Sequence, residues 1–384
     1  MKWLVYVLLL IPVSSFSQDT IQHNLTLNGY VTDMQSFVYQ SSVNNPTVDN
    51  VLHNRLNFKW NNTANTLNGA LELRNRLLVG ETVSTVPGYA NIIGSDNGLA
   101  DLSFNIASGK SYLLNFRIDR LYVDYTKDKF QLRLGRQRIN WGQCFVWNPN
   151  DIFNAYSYFD FDYIEKPGSD AFRLQYYRNS TSTFDFVMKA DSASRITSAL
   201  LYRFNRWNYD IQFMGGILND DDLVLGAGWS GNIFTASFNG EVSYFHPKKN
   251  FADTTGLLIF SLGSQYSFKN SFMLQTEVLY NPVKSGEIKN FGEYFMTNLS
   301  AKNLSFPGIS IMLQGSYPVT PLFNVTLAGM YFPKLNGYYI GPTLSYSILE
   351  NLEFSVITQT FAGQLVKGKK DTANLIYLHL KLNF

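Results

Sequence analysis

The stretch Leu375-Ile-Tyr-Leu-His-Leu-Lys-Leu-Asn-Phe384 decides the fold, because apolar and polar side chains alternate along its whole length. Successive side chains of a β-strand point to opposite faces. One face therefore carries Ile376, Leu378, Leu380, Leu382 and Phe384. The other carries Tyr377, His379, Lys381 and Asn383. About ten residues tilted at about 45° span a bilayer, with one face on lipid and the other in a polar lumen. The stretch predicts a membrane-spanning β-strand.

The same two-residue period recurs upstream. In Leu67–Leu77, leucines lie on one face and Asn68, Glu72, Arg74 and Arg76 on the other. Segments of this kind number about 18, which predicts an all-β chain folded as a transmembrane antiparallel up-and-down β-barrel of about 18 strands. Sixteen strands is the alternative, because Phe291–Ala301 fits either a strand or a helix within a loop. Short turns alternate with long connections at 81–111, 141–168 and 282–304, as expected for periplasmic turns and external loops.

The N-terminus has the pattern of a secretory signal peptide. Lys2 precedes an apolar run from Trp3 to Val13, and Ser15-Phe16-Ser17 is a small-x-small cleavage pattern. The run is too short for a membrane-spanning helix, which needs roughly 20 residues. We therefore expect residues 1–17 to be a signal peptide and residues 18–384 to form the barrel.

The composition of the chain argues against several classes of function. The formal net charge is +2, which gives no reason to expect a nucleic-acid partner, and the single cysteine, Cys144, excludes an internal disulfide framework. None of the four histidines lies in a motif with a nucleophile and an orienting carboxylate, and no cluster has metal-ligand spacing. We predict neither an enzyme nor a cofactor or metal site.

Arginines concentrate in the first part of the barrel. From Arg55 to Arg138 there are 12 Lys or Arg and 7 Asp or Glu, an excess of 12 − 7 = +5. Most of these arginines alternate with apolar residues, so they face the lumen, because an arginine on the lipid face costs about 2–4 kcal/mol at the bilayer midplane. The predicted basic wall of the lumen consists of Arg74, Arg76, Arg117, Arg120, Arg133, Arg136, Arg138, Arg173 and Arg203.

The alternation stops between Trp141 and Gly168. This segment has four acidic residues and one lysine, a net charge of −3, and it follows the basic wall directly. The opposite charges predict that residues 141–168 fold into the lumen as a constriction or plug; an external loop on the rim is the alternative. The candidate residues of the constriction are Trp141, Asn148, Asp151, Asp160, Asp162 and Glu165.

A motif around this break carries a resemblance to known proteins. It runs Leu134-Gly135-Arg136-Gln137, Asn140-Trp141-Gly142 and Asn148-Pro149-Asn150-Asp151. It resembles the motif of a porin-like family of outer-membrane β-barrels of poorly defined function and, more distantly, the alginate-export barrels. Relatives often have an acidic residue after the Trp-Gly pair, where this chain has Gln143. The resemblance implies an envelope channel or transporter.

These features predict a porin-like channel in the outer membrane of a Gram-negative bacterium. Diffusion or facilitated transport of small polar or anionic solutes through an arginine-lined lumen is the expected function. The alternatives are a structural or docking barrel without an open pore and an exporter of polymers or hydrophobic substrates. The expected partners are outer-membrane lipid, the solutes and, through the strand that ends at Phe384, the barrel-assembly machinery.

Overall fold

The alternating segments form the strands of one antiparallel sheet. The computed structural model describes residues 24–41, 45–161, 163, 165–282, 291, 299–366 and 368–384, and these contain 19 β-strands. The strands are β1 (Leu25–Gln40), β2 (Thr47–Asn61), β3 (Leu67–Gly80), β4 (Ser103–Ser108), β5 (Tyr112–Lys127), β6 (Phe130–Gln137), β7 (Ser169–Asn179), β8 (Ser182–Ala190), β9 (Ile196–Arg206), β10 (Tyr209–Leu218), β11 (Asp222–Ile233), β12 (Ala236–Pro247), β13 (Leu257–Ser267), β14 (Met273–Asn281), β15 (Gly308–Thr320), β16 (Phe323–Phe332), β17 (Gly337–Leu349), β18 (Leu352–Val366) and β19 (Lys369–Asn383). Short helices α1 (Glu81–Thr85) and α2 (Tyr89–Gly94) lie between β3 and β4, and a 3₁₀ turn spans Pro333–Leu335.

The sheet closes because its first and last long strands pair. β1 pairs with β2 on one edge and with β19 on the other, in register from Tyr30 opposite Asn383 to Gln40 opposite Ala373. Gly29 and Phe384 exchange both backbone hydrogen bonds, at 2.9 and 3.0 Å. Eighteen strands surround the lumen, so the prediction of an 18-stranded up-and-down barrel is confirmed and the alternative of 16 is wrong.

The nineteenth strand, β4, fills a gap in the wall. β6 is short, so it covers β5 only from Leu121 to Lys127, and β4 pairs with the part of β5 beyond it. Arg136 lies at this junction. It shares its face of β6 with the exposed Leu132 and Leu134, and its guanidinium binds Asp96 and Asp170.

The sheet faces follow the predicted alternation. Outward positions such as Leu121, Val123 and Tyr125 are about half exposed, as expected of side chains that contact lipid. Within β5, Leu114, Phe116 and Ile118 share one face by sequence, but Leu121, Val123 and Tyr125 continue it one residue out of phase. A β-bulge accounts for this slip, because Glu72 pairs with Arg120 while Leu73 pairs with Ile118, leaving Asp119 as the extra residue. Both Asp119 and Arg120 are consequently buried on the inner side.

The helices do not contribute membrane spans. None within the described part of the chain has the length and apolar character to cross a bilayer. The predicted signal peptide, residues 1–17, lies outside the described residues.

A hydrophobic core lies on the inner side of the sheet. Inward residues of many strands, among them Val187, Phe245 and Met312, pack in one buried cluster with apolar residues of the connection between β6 and β7. Those of the connection are Ile139, Trp141, Val146, Trp147, Ile152 and Phe153. The alternation of strand residues does not anticipate these apolar inward positions, which lie towards the rim with the long loops.

Candidate functional site

The connection from Arg138 to Gly168 is called the inner segment below. Its first half is held by Glu241 on β12. The two carboxylate oxygens of Glu241 accept hydrogen bonds from the backbone N–H groups of Gln143, Cys144 (2.8 Å) and Asn150 (2.8 Å). Ser243, two residues along the same strand, donates to the Asn150 side chain at 2.7 Å. Glu241 is 1% exposed.

Glu277 on β14 holds the next three residues in the same way. It accepts hydrogen bonds from the N–H groups of Phe145 (3.0 Å), Val146 (2.9 Å) and Trp147 (2.6 Å), and from the Ser261 hydroxyl (2.9 Å). Neither Glu277 nor Glu241 has an ion-pair partner among the described residues. Six backbone N–H groups therefore compensate two buried carboxylates, since charged acceptors make strong hydrogen bonds.

Gln143 acquires a physical role from this arrangement. Its side-chain amide donates to the Gln212 carbonyl oxygen on β10 at 2.8 Å, and the Gln212 amide donates to the Trp141 carbonyl at 2.6 Å. An acidic residue at 143 would lie beside the buried carboxylate of Glu241, so an uncharged amide fits the position. Burial raises the pKa of the neighbouring Cys144 thiol well above its usual value.

The second half of the inner segment contacts other strands. The Tyr158 hydroxyl donates to Gln314 on β15 at 2.7 Å, and Gln359 on β18 donates to the Phe159 carbonyl at 3.2 Å. Near its end, Arg120 on β5 donates to the carbonyls of Glu165 (2.8 Å) and Lys166 (2.7 Å). The segment thus bridges inward side chains from β5 through β18.

A buried ion network lies beneath the end of the inner segment. Arg55 binds both Glu72 and Asp119, and its Nε lies 3.6 Å from Glu165. Arg74 reaches Asp119 at 3.1 Å and places its guanidinium carbon 3.8 Å from the centre of the Tyr163 ring. Arg55 and Asp119 are almost fully buried, and sequence reasoning selected neither.

Most of the predicted arginines have a partner on the wall itself. Arg133 pairs with Asp124 and Arg173 with Asp185, each at 2.6 Å. The remaining contacts are Arg203 to Gln212 (2.8 Å), Arg76 to Asn115 (3.2 Å), Arg117 to the Ser95 carbonyl, and Arg136 to Asp96 and Asp170. Some of these arginines therefore pair with a carboxylate and others bind neutral oxygen atoms, and Arg136 lies apart from the rest at the β4–β6 junction.

The predicted segment residues separate into two groups. Trp141, Asn148 and Asp151 are buried, and the Trp141 indole donates to Asp185 at 2.9 Å. Glu165 accepts a hydrogen bond from the Tyr30 hydroxyl at 2.9 Å. Asp160, unlike these residues, is exposed. Asp162 lies outside the described residues.

Tyr156 lies among three charged groups. The Lys166 ammonium is 2.9 Å from the centre of the Tyr156 ring, and the Arg138 guanidinium carbon is 5.5 Å from it. The nearest atoms of Arg138 and Asp151 are 3.9 Å apart. Burial raises the pKa of Asp151 to about 6 despite the nearby cations, and burial, together with Arg138, lowers the pKa of Lys166 to about 8. The cluster gains positive charge as the pH falls through about 6.

The residues that hold the inner segment have only a weak signal in the sequence. Glu241 and Glu277 each occupy an inward position of an alternating strand, as a lumen residue does in any wide barrel. Their role depends on the N–H groups of a segment about 90 to 135 residues away. Sequence alone does not specify that pairing.

We expect the Arg55–Asp119 pair to stabilise the barrel. Asp119→Asn or Arg55→Met should lower the free energy of unfolding by about 1.5–3 kcal/mol, because each removes a charged hydrogen bond from the buried network, although Glu72 still binds Arg55 and Arg74 still binds Asp119. The measurement is the temperature at which the folded form is lost on a heat-modifiability gel. Arg195→Met is the matched control, since Arg195 forms an exposed pair with Asp191 and should change stability by about 0.5 kcal/mol or less. Equal melting temperatures for Asp119→Asn, Arg55→Met and Arg195→Met would contradict a stabilising role of the Arg55–Asp119 pair.

Comparisons with known proteins find similarity in structure alone. No family model matches the sequence, and no curated protein matches it. The Pseudomonas aeruginosa protein OccK11 (OpdR) superposes with a TM-score of 0.59 at 12% identity, covering 94% of this chain and 96% of that one. Acinetobacter baumannii OccAB1 gives 0.57 at 10% identity, covering 93% and 97%, and OccAB2 gives 0.57 at 10%, covering 94% and 98%. The chain therefore shares the barrel fold of these proteins over nearly its whole length.

Proposed function

We propose that this chain is a porin-like channel of a Gram-negative outer membrane, through which small polar or anionic solutes pass. The Pseudomonas aeruginosa and Acinetobacter baumannii proteins described above share its barrel fold over nearly the whole chain. The apolar outer face suits lipid, and the strand that ends at Phe384 would be the contact for the barrel-assembly machinery. Residues 1–17 would direct export.

One observation carries the proposal: charged and amide side chains line a cavity on the barrel wall. Near the rim of short turns, a cavity of about 360 Å³ is lined by residues of neighbouring strands, among them Lys59, Asn61, Asn68, Asp124 and Arg133. Such groups can replace part of the hydration shell of a polar solute. The inner segment would act as the constriction, with Trp141, Asn148, Asp151 and Glu165 within it.

Anion preference is the finer part of the proposal. The arginines of the wall would lower the energy barrier to the passage of anions. Their carboxylate partners would reduce the positive electrostatic field in the lumen. The groups that favour anions are therefore the cations without a close carboxylate, such as Arg120 and Arg203, whose hydrogen bonds go to carbonyl or amide oxygens. We expect a modest preference for anions over cations.

Planar-bilayer recordings test the channel. In a tenfold KCl gradient, we expect stepwise conductance and a reversal potential that indicates preference for chloride. Arg203→Gln should reduce that preference, whereas Arg178→Gln, on the rim of short turns, should leave it unchanged. Cation preference that persists after Asp151→Asn and Asp160→Asn would contradict the anion proposal.

A second candidate follows from the apolar inner cluster. Met312, Met330, Phe361 and their neighbours are buried on the inner side, which is the arrangement expected of a barrel that serves as a structural or docking protein without an open pore. Absence of conductance from correctly folded protein would favour that candidate over the channel.

A further inference from the structure

We propose that a groove on the outer face of β10, β11 and β12 holds one phospholipid, with an acyl chain against the aromatic walls of the groove and the phosphate at Arg206. The site lies on the lipid side of the barrel wall, near the rim of short turns. It is separate from the lumen and from the inner segment, so it does not depend on the proposed channel function.

The groove is a depression among large aromatic side chains. Its volume is about 400 Å³, within the range of small-ligand sites. Ala227 on β11 lies opposite Phe213 on β10, and its small methyl group leaves space between the surrounding rings. The side chains that form the walls are those of Trp207, Tyr209, Ile211, Phe213, Trp229 and Phe238. Such a lining suits a hydrocarbon chain.

Contacts within the sheet fix the walls of the groove. The Trp229 ring lies against Gly240, and the Tyr209 ring lies against Gly231, in each case where an added Cβ atom would meet the ring. The Tyr209 hydroxyl donates to the Asn232 carbonyl at 2.9 Å. A ligand that enters a groove with fixed walls loses less free energy to ordering of the protein.

The groove continues the lipid-facing surface of the barrel. A row of stacked rings, whose successive centres are 4.4 to 6.5 Å apart, crosses the outer face of β7 to β10 and ends at the groove. The row consists of Tyr176, Phe184, Tyr202, Phe204 and Phe213. Outer-membrane barrels carry such aromatic rows at the level where lipid headgroups meet acyl chains. A membrane lipid is therefore the molecule that covers the groove.

Arg206 supplies the charge for the lipid phosphate. It is an even-numbered residue of β9, like the exposed Leu200, so it points outward, and it ends that strand at the rim of short turns. Within the described part of the chain, its guanidinium forms no ion pair and donates no hydrogen bond. Its guanidinium carbon lies 5.5 Å from the centre of the Trp207 ring, beside the groove. An arginine fork with free donors can bind two phosphate oxygens at once.

Two hairpin turns beside the groove carry exposed aromatic rings. Trp207 is 77% exposed and Phe234 is 97% exposed. Both residues have positive φ angles, 54° and 55°, in turns where asparagine or glycine causes less strain. At that exposure, Phe234 gains almost nothing from packing within the chain. A membrane interface, where aromatic rings are favoured, compensates the strain.

Native mass spectrometry of the purified, delipidated protein tests the site. Phosphatidylglycerol and a diacylglycerol with the same acyl chains are added separately in detergent, and the concentration for half-occupancy by the first lipid is measured. We expect about tenfold preference for phosphatidylglycerol, the effect of one charged hydrogen bond, because only that lipid offers a phosphate to Arg206. Arg206→Gln should abolish the preference, whereas Arg178→Gln, at a neighbouring short turn, should retain it.

Filling the groove provides an independent test. Ala227→Phe should raise the half-occupancy concentration of both lipids by about tenfold or more, the effect of two displaced methylene groups. Gly329→Phe is the matched control, because it adds the same ring to the outer face of β16, where a Cβ atom meets no atom closer than 3.9 Å. A heat-modifiability gel checks the folding of each variant, and Ala227→Leu replaces Ala227→Phe if the latter does not fold.

Two results would overturn the proposal. One is equal binding of phosphatidylglycerol and diacylglycerol by the wild-type protein. The other is equal binding by the Ala227 and Gly329 variants, which would show that lipid covers the whole outer face without a distinct site. Neither result bears on conductance, because the groove and the lumen lie on opposite sides of the wall.

Discussion

Deletion of residues 143–163 is expected to raise single-channel conductance by about threefold or more. The deletion removes most of the inner segment, and a barrel of 18 strands is wide enough for an aqueous channel unless something fills it. It also removes all six N–H groups that bind Glu241 and Glu277. Two carboxylates then face the lumen, so the selectivity should shift towards cations at the same time. Single-channel recordings with a reversal potential measure both effects.

Deletion of residues 249–254 is the matched control. These residues belong to an exposed loop between β12 and β13, on the same rim as the inner segment. Conductance and selectivity should stay at the wild-type values. A deletion of 143–163 that folds but keeps the wild-type conductance would show that the inner segment does not limit flow.

Substitution of the two glutamates should release the inner segment without shortening it. Glu277→Gln keeps the size of the side chain but replaces one acceptor oxygen with an NH₂ group that faces N–H donors. Each lost charged hydrogen bond costs about 1.5–3 kcal/mol, so the double variant Glu241→Gln, Glu277→Gln should undock this part of the segment. We expect frequent transitions to a larger conductance level.

Cys144 provides an independent readout of this release. It is the only cysteine of the chain, it is partly buried, and burial raises the pKa of its thiol. Maleimide reacts with the thiolate, so release, which returns the pKa of the thiol towards its ordinary value, should accelerate labelling severalfold. Glu353→Gln, on the exposed end of β18, is the control and should label at the wild-type rate. Unchanged labelling in the double variant would show that Glu241 and Glu277 do not hold the inner segment in place.

The strands were predictable from sequence because each carries its own two-residue period. The bulge at Asp119 was predictable for the same reason, since a phase slip between Ile118 and Leu121 is visible in a single strand. The side chains that contact each other across the lumen were not predictable from the sequence. The carboxylates of Asp124 and Asp185 sit on strands next to their arginines, and a net charge count conceals such pairs. The Trp147 N–H group and the Glu277 carboxylate are separated by many strands in sequence. They come together only in the folded barrel.

The apolar inner cluster was missed for a related reason. Alternation tells which residues share a face but not what covers that face. Met312 and Phe361 point inward, which is unexpected of apolar residues in a polar lumen. They are buried because apolar residues of the inner segment belong to the same cluster. The motif from Gly135 to Asp151 marked the right region, but the contacts of Lys166 and Tyr156 depend on the path of the segment in three dimensions.

The pairing of β1 with β19 also governs how the barrel can form. Tyr30 and Asn383 are among the most distant contacts that the chain can make, so the loop-closure entropy of this seam is large. Every other strand pair joins neighbours in sequence or near-neighbours, and can form early. Until the seam closes, both end strands expose unsatisfied backbone groups, which invite aggregation. Of all the strand pairs, the seam at which Phe384 meets Gly29 therefore carries the largest entropic cost of closure.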